Sequence, residues 1–219
     1  MFRHDPLLFL TGAEEEVAPK LLTAYFGNYT GRHFETYLDL DHPNEFTAKD
    51  FLAVKMLSVE IPARAAIWLL EEGRESVTTV LSEIPSDVGI WDPGADLSRG
   101  SKAWQLWDIV RALHDVGRTK TSKLLAAKRP LLVPIYDKYV AAALLGSPDA
   151  DLWEPMSSRF RESDDLRNQL EAALKAASNV PAGVSALRAL DVIVWMRVHG
   201  HKDSTEPEVR NLTTPPFLI

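Results

Sequence analysis

The sequence holds no cysteine among its 219 residues. That absence excludes disulfides, thiolate metal sites, iron–sulfur clusters and cysteine nucleophiles together, and it fits a reducing compartment. Long apolar runs are missing too. The stretch LLFL at residues 7–10 is too short for a signal peptide and has no basic segment of the right form before it. No window approaches the roughly 18 apolar residues of a membrane helix. A cytoplasmic protein without membrane contact is therefore expected. There is no P-loop, no dinucleotide-binding glycine motif and no Gly-x-Ser-x-Gly elbow. His199 and His201 have no third ligand in view, and Asp39 and Asp41 flank a turn without a calcium-loop pattern, so neither a metal nor a cofactor is expected. A basic excess is also lacking. The chain has 24 Lys and Arg against 31 Asp and Glu, a net charge of −7. Taken over the whole chain, this argues against a general nucleic-acid binder, because nonspecific affinity comes mainly from neutralised phosphates.

What is present is an ordinary globular balance, with 46% apolar residues, six Trp and eight Phe. The length suits one domain over 1–219, with candidate lobes at 1–90 and 101–200 and an irregular tail at 201–219. The pattern is helical nearly throughout. Thr11 is a candidate cap for a helix over residues 13–26, whose first turn carries Glu14, Glu15 and Glu16. Thr47 and Asp50 form a capping box ahead of FLAVKMLSV. Pro62 suits the first turn of a helix that Gly73 ends, and ESVTTVLSEI stops at Pro85. Residues 85–100 read as a long loop and as the candidate lobe boundary. After Ser101, Trp104, Trp107, Val110 and Leu113 make one apolar stripe. Further helices are expected at VPIYDKYVAAALLG, after Ser163, and from Pro181 to Gly200. HFETYLDL, residues 33–40, is the one candidate for a short strand pair. About nine helices without sustained alternation predict an all-α, two-lobed bundle.

Charge is unevenly spread along this pattern. Residues 111–138 hold Arg111, Arg118, Lys120, Lys123, Lys128, Arg129 and Lys138 against Asp115 and Asp137. Such a run is often no more than a solvated face. Here it surrounds a turn. A helix stops near Leu113, Val116 and Gly117 make a tight corner, and a second helix starts within two residues, with Thr119 and Thr121 as hydroxyl donors. A sharp turn between helices favours Gly. The free N–H groups of the second helix can then hold a phosphate.

Leu113–Gly117, followed by Ile135–Val140 with Asp137 twenty residues after Gly117, resembles the helix-hairpin-helix DNA glycosylases of the endonuclease III superfamily. The resemblance is strongest over some forty residues. It implies a phosphate-binding hairpin at Val116, Gly117, Arg118, Thr119, Lys120, Thr121 and Lys123, with Lys128 and Arg129 adding positive charge. It implies Asp137 as the catalytic carboxylate, Tyr136 as a pocket residue and duplex DNA as the partner. Four departures limit it. His114 and Asp115 stand where the family has its hairpin Pro and first hairpin Gly, Thr119 stands where bifunctional members carry a catalytic Lys, and the four-Cys cluster of some members is absent. Lys120 is one step, about 100°, away on the helix. The resemblance therefore implies a monofunctional N-glycosylase and not a Schiff-base lyase. Across the whole chain, the runs SKLLAAKRPLLVPIYD and LRALDVIVWM are similar to a bacterial family of unknown function.

Blander readings stand beside these. Asp137 can cap the helix KYVAAALL. Trp104 and Trp107 read as core. Arg32 and Glu35 read as a surface ion pair or as the wall of a cleft. The alternatives to a glycosylase are a non-catalytic DNA-binding module and a protein-interaction domain. Salt dependence separates the last from the first two.

Overall fold

The computed structural model describes residues 1–11 and 17–203. Among them are ten α-helices: α1 Val17–Asn28, α2 Ala48–Met56, α3 Ala63–Leu70, α4 Arg74–Ser82, α5 Lys102–Arg111, α6 Arg118–Lys128, α7 Lys138–Leu145, α8 Trp153–Glu162, α9 Asp165–Ala176 and α10 Ala186–Val198. Four short 3-10 helices lie at Pro6–Phe9, Thr30–His33, Glu35–Tyr37 and Gly200–Asp203. The protein is all-helical over this range.

The local signals act as expected where they involve neighbours. Thr47 and Asp50 close a capping box on α2. Ser101 caps α5 by accepting from the Trp104 N–H at 3.3 Å. Three boundaries differ. The expected strand at 33–40 is instead part of two 3-10 turns. Gly31 sits so close to Tyr25 that a Cβ would fall 2.0 Å from its hydroxyl. Phe34 is buried in the turn that follows, and no neighbouring strand among the described residues offers a ladder. The expected helix at Pro134 begins only at Lys138. Ser122 Oγ accepts from the Tyr136 N–H at 2.6 Å and donates to the Pro134 carbonyl at 3.1 Å, which ties residues 134–136 to α6. The last helix starts at Ala186 rather than after Pro181. Gly183 turns the chain at φ 87° and Ser185 takes the cap, accepting from the Arg188 N–H.

α10 is the central element and packs against α1, α7 and α9, while α6 lies between α2 and α5. One cluster of buried side chains runs from Phe9 to Met196. The loop between α4 and α5 has no helix but inserts Ile90, Ala95 and Leu97 into that cluster. No helix among the described residues is long and apolar enough to cross a membrane. Residues 13–16 of the expected first helix, and the tail beyond residue 203, lie outside the described residues.

Candidate functional site

α5 and α6 meet at a tight corner. Asp115 takes the left-handed conformation at φ 59°, the region in which glycine is favoured and Asp is among the better-tolerated alternatives. Its side chain points out to His114 Nδ1 at 3.1 Å. Gly117 caps α6 in an extended conformation at φ −82°. A Cβ added there would meet nothing within 4 Å. Neither backbone conformation nor internal crowding requires glycine at this position; close approach by something from outside would.

Beside this corner opens a cleft of about 660 Å³. Thr119 and Lys123 of α6, Tyr136 and Asp137 of the segment after it, and Tyr139 of α7 line one side. Tyr25 of α1, Tyr29 just after it, Gly31, the loop Leu57–Val59, and Arg188, Asp191, Trp195 and His199 of the C-terminal part close the other. The walls are aromatic. Tyr25 and Tyr29 stack at 5.3 Å, Trp195 stands edge-on to Tyr29 at 5.5 Å, and Tyr139 lies 4.2 Å from the His199 ring.

The floor carries charge. Arg188 donates from Nε to Glu35 at 3.0 Å, from Nη2 to the Tyr25 hydroxyl at 2.8 Å, and from Nη1 to Asp191. Burial works against the Arg188 charge, but Tyr25, Glu35 and Asp191 outweigh it and hold its pKa above the usual value. Burial pushes Asp191 up to about 6 against the pull of Arg188. Lys123 brings its amine to the same cleft, where it donates to the Leu57 carbonyl at 2.7 Å. Burial lowers its pKa, while Asp191 and Asp137 pull the other way. Asp137 caps α7: Oδ1 accepts from the Tyr139 N–H at 2.8 Å and the Val140 N–H at 3.4 Å. Capping locks the side chain at the cleft wall and engages one carboxylate oxygen.

The structure brings together Thr119, Lys123, Tyr136 and Asp137, and separates other residues expected to bind a phosphate. Lys128 and Arg129 are corrections. Lys128 is buried against Asp50, Nζ to Oδ2 at 2.6 Å, and donates to the carbonyls of Asp39 and His42. Arg129 is 1% exposed and donates to the carbonyls of Ile84, Pro43, Lys128 and Leu81 and to Asn44 Oδ1. Buried cations need partners, and these two have found them inside the protein. Thr121 is also turned inward, its hydroxyl donating to the Gly117 carbonyl, and the Val116 side chain is core. Arg118 lies over the Tyr136 ring at 4.2 Å and donates to the carbonyls of Asp149 and Ala150. Lys120 folds back to the Asp115 carbonyl at 2.9 Å and does not line the cleft. Toward solvent the basic run thus keeps Arg111 and Lys138, with Arg118 and Lys120 half-buried at the corner.

Sequence reasoning missed Arg188, Asp191 and the role of Glu35, whose partner is Arg188 and not Arg32. The Arg32 guanidinium instead donates to the Gly27 carbonyl. A signal was there. LRALDVIVWM is apolar on every face of its helix, so charges three apart within it have to be buried and paired. KLLAAKRPLL carries the same message for Lys128 and Arg129.

The fold and cleft define an all-helical protein with an aromatic-walled pocket over a buried arginine–carboxylate floor. The chain belongs to a family of unknown function, DUF6308, which matches residues 18–198. No curated protein and no solved structure matches it.

Proposed function

We propose that the protein binds DNA at the α5–α6 corner as a helix-hairpin-helix element and draws one base into the cleft, acting as a monofunctional N-glycosylase. The observation that carries this reading is that Asp137 and aromatic rings line a pocket directly beside a corner whose glycine has open space above it. Base-flipping enzymes hold their target between aromatic faces and read it with buried polar groups. Tyr25, Tyr29, Tyr139 and Trp195 supply the faces; Arg188, Asp191 and Lys123 supply the polar groups.

In this reaction the bond between base and sugar breaks and its electron pair leaves with the base. A water attacks the anomeric carbon and gives up its proton. Asp137 stabilises the positive charge developing on the sugar and takes that proton. Asp191, which burial pushes up to about 6, is the carboxyl in the cleft suited to exchange a proton with the departing base.

The test is Asp137→Asn on a duplex bearing damaged bases. Asn caps helices as well as Asp does, so α7 and thermal stability stay intact. Base release is expected to vanish while binding to a duplex with an abasic-site analogue persists and weakens steeply as salt rises. Base release that survives the change overturns the catalytic assignment. A second reading, a DNA-binding module without chemistry, is favoured by the capping role of Asp137, which accounts for that residue without a reaction. Salt-sensitive binding with no release from any damaged base would select it.

A further inference from the structure

A second cleft, of about 290 Å³, opens on the other side of Tyr136. It is lined by Trp104, Trp107, Trp153, Arg99, Arg111 and Arg118, and it shares Tyr136 and Asp149 with the first cleft. Its three indoles form a mutual cluster, Trp104 to Trp153 at 4.5 Å, Trp107 to Trp153 at 5.3 Å and Trp104 to Trp107 at 5.5 Å. Trp104 and Trp153 are buried, whereas Trp107 is only partly so. Arg99 lies over Trp104 at 3.6 Å and is held by Asp151 at 2.9 Å. Asp151 also caps the Trp153 N–H at 3.0 Å. A core needs no cations around its tryptophans, and although Asp149 and Asp151 also line this cleft, Asp151 is taken up by Arg99 and three guanidiniums against two carboxylates leave it net positive.

We infer that this second cleft stacks the base of the nucleotide adjacent to the one drawn into the first cleft, with Trp107 as its platform and Arg111 and Arg118 flanking the phosphate between them. The inference rests on the nucleic-acid reading of the first cleft. Tyr136 is the partition between the two bases, and Arg118, laid on the Tyr136 ring, carries positive charge to the crossing. An indole face accepts any base, and guanidiniums beside it fit an anionic linkage. The ligand class is thus a locally single-stranded segment of at least two nucleotides, in which sequence preference at the second position is weak.

The experiment compares the full-length protein with Trp107→Leu, Trp107→Phe and Arg111→Gln, using thymidine monophosphate and a labelled hexathymidylate as probes. The wild type is expected to bind the hexamer more tightly than the mononucleotide. Trp107→Leu, which keeps an apolar side chain but loses the ring, should weaken hexamer binding about five- to one-hundred-fold, the range for loss of one base–aromatic stack. Mononucleotide binding should be unchanged, and Trp107→Phe should fall between. Arg111 is exposed, so Arg111→Gln is expected to fold normally and to reduce the salt dependence of hexamer binding. Unchanged hexamer affinity in Trp107→Leu and Arg111→Gln overturns the second site and leaves the first standing. Equal weakening for both probes also overturns it, because the effect would then come through the first cleft. A wild type that binds neither probe overturns the second site, while the first reading falls only if the duplex with the abasic-site analogue is not bound either.

Discussion

The two ends of α6 carry the same residue types and use them in opposite ways. At its start, Gly117, Arg118, Thr119 and Lys120 edge a corner open to solvent, and one turn further on Lys123 reaches a cleft. At its finish, Lys128 and Arg129 are sunk among carbonyls from the 39–44 segment and from the end of α4. A lysine near an open cleft keeps some access to water and to ligand. A lysine sealed against a carboxylate at 1% and 0% side-chain exposure is a structural clamp. Positive charge in a sequence therefore says little about where a phosphate binds until burial is known.

Identical substitutions at the two ends sharpen this contrast. Lys128→Met strands Asp50, whose pKa burial already raises, and should cost about 3–5 kcal/mol of unfolding free energy in urea titrations. Adding Asp50→Asn should recover part of the loss. Arg129→Met leaves buried carbonyls without a donor and is expected to cost about 2–4 kcal/mol in the same assay. A loss below 1 kcal/mol for either would break the clamp interpretation.

At the cleft the expected effects are smaller. Asp191 has a raised pKa, so its contribution to stability is full below the unfolded value of 3.8 and is lost as pH rises through about 6. The difference in stability between wild type and Asp191→Asn should therefore drift against the wild type over that window and level off above it; a difference independent of pH would remove Asp191 as a titrating group. Lys123→Met gives up one bond to the Leu57 carbonyl but also removes a buried charge, and should cost about 1–2 kcal/mol, less than the loss at Lys128. Gly117→Ser gains a good helix cap and should leave the melting temperature nearly unchanged. It should nevertheless weaken binding of a duplex, because its side chain fills the space above the corner. Unaltered duplex affinity would show that nothing approaches Gly117.

The elements that could be read from the sequence are those set by near neighbours. The capping box of Thr47 and Asp50, the return to helix after Ser101, and the apolar stripe of α5 all follow from spacing within a few residues. That Asp137 and Thr119 line one cleft was implied by the glycosylase resemblance and by no local pattern. The floor of the cleft was not. Arg188 meets Glu35 across 153 positions and Tyr25 across 163, and no local pattern reports such a meeting. Helix α8 escaped notice because Trp153 and Phe160 are interleaved with charged residues. The strand expected at 33–40 failed because alternation alone supplies no partner strand.

The wide separation of Glu35 and Arg188 also has a bearing on synthesis. Domains emerge from the ribosome N-terminal end first. The corner, Asp137, Tyr25 and Tyr29 are all translated before Arg188 and Asp191 exist. Until those residues arrive, Glu35 has no arginine and the pocket has no floor. The charged floor of the cleft is therefore completed last, when α10 docks against α1 and α7.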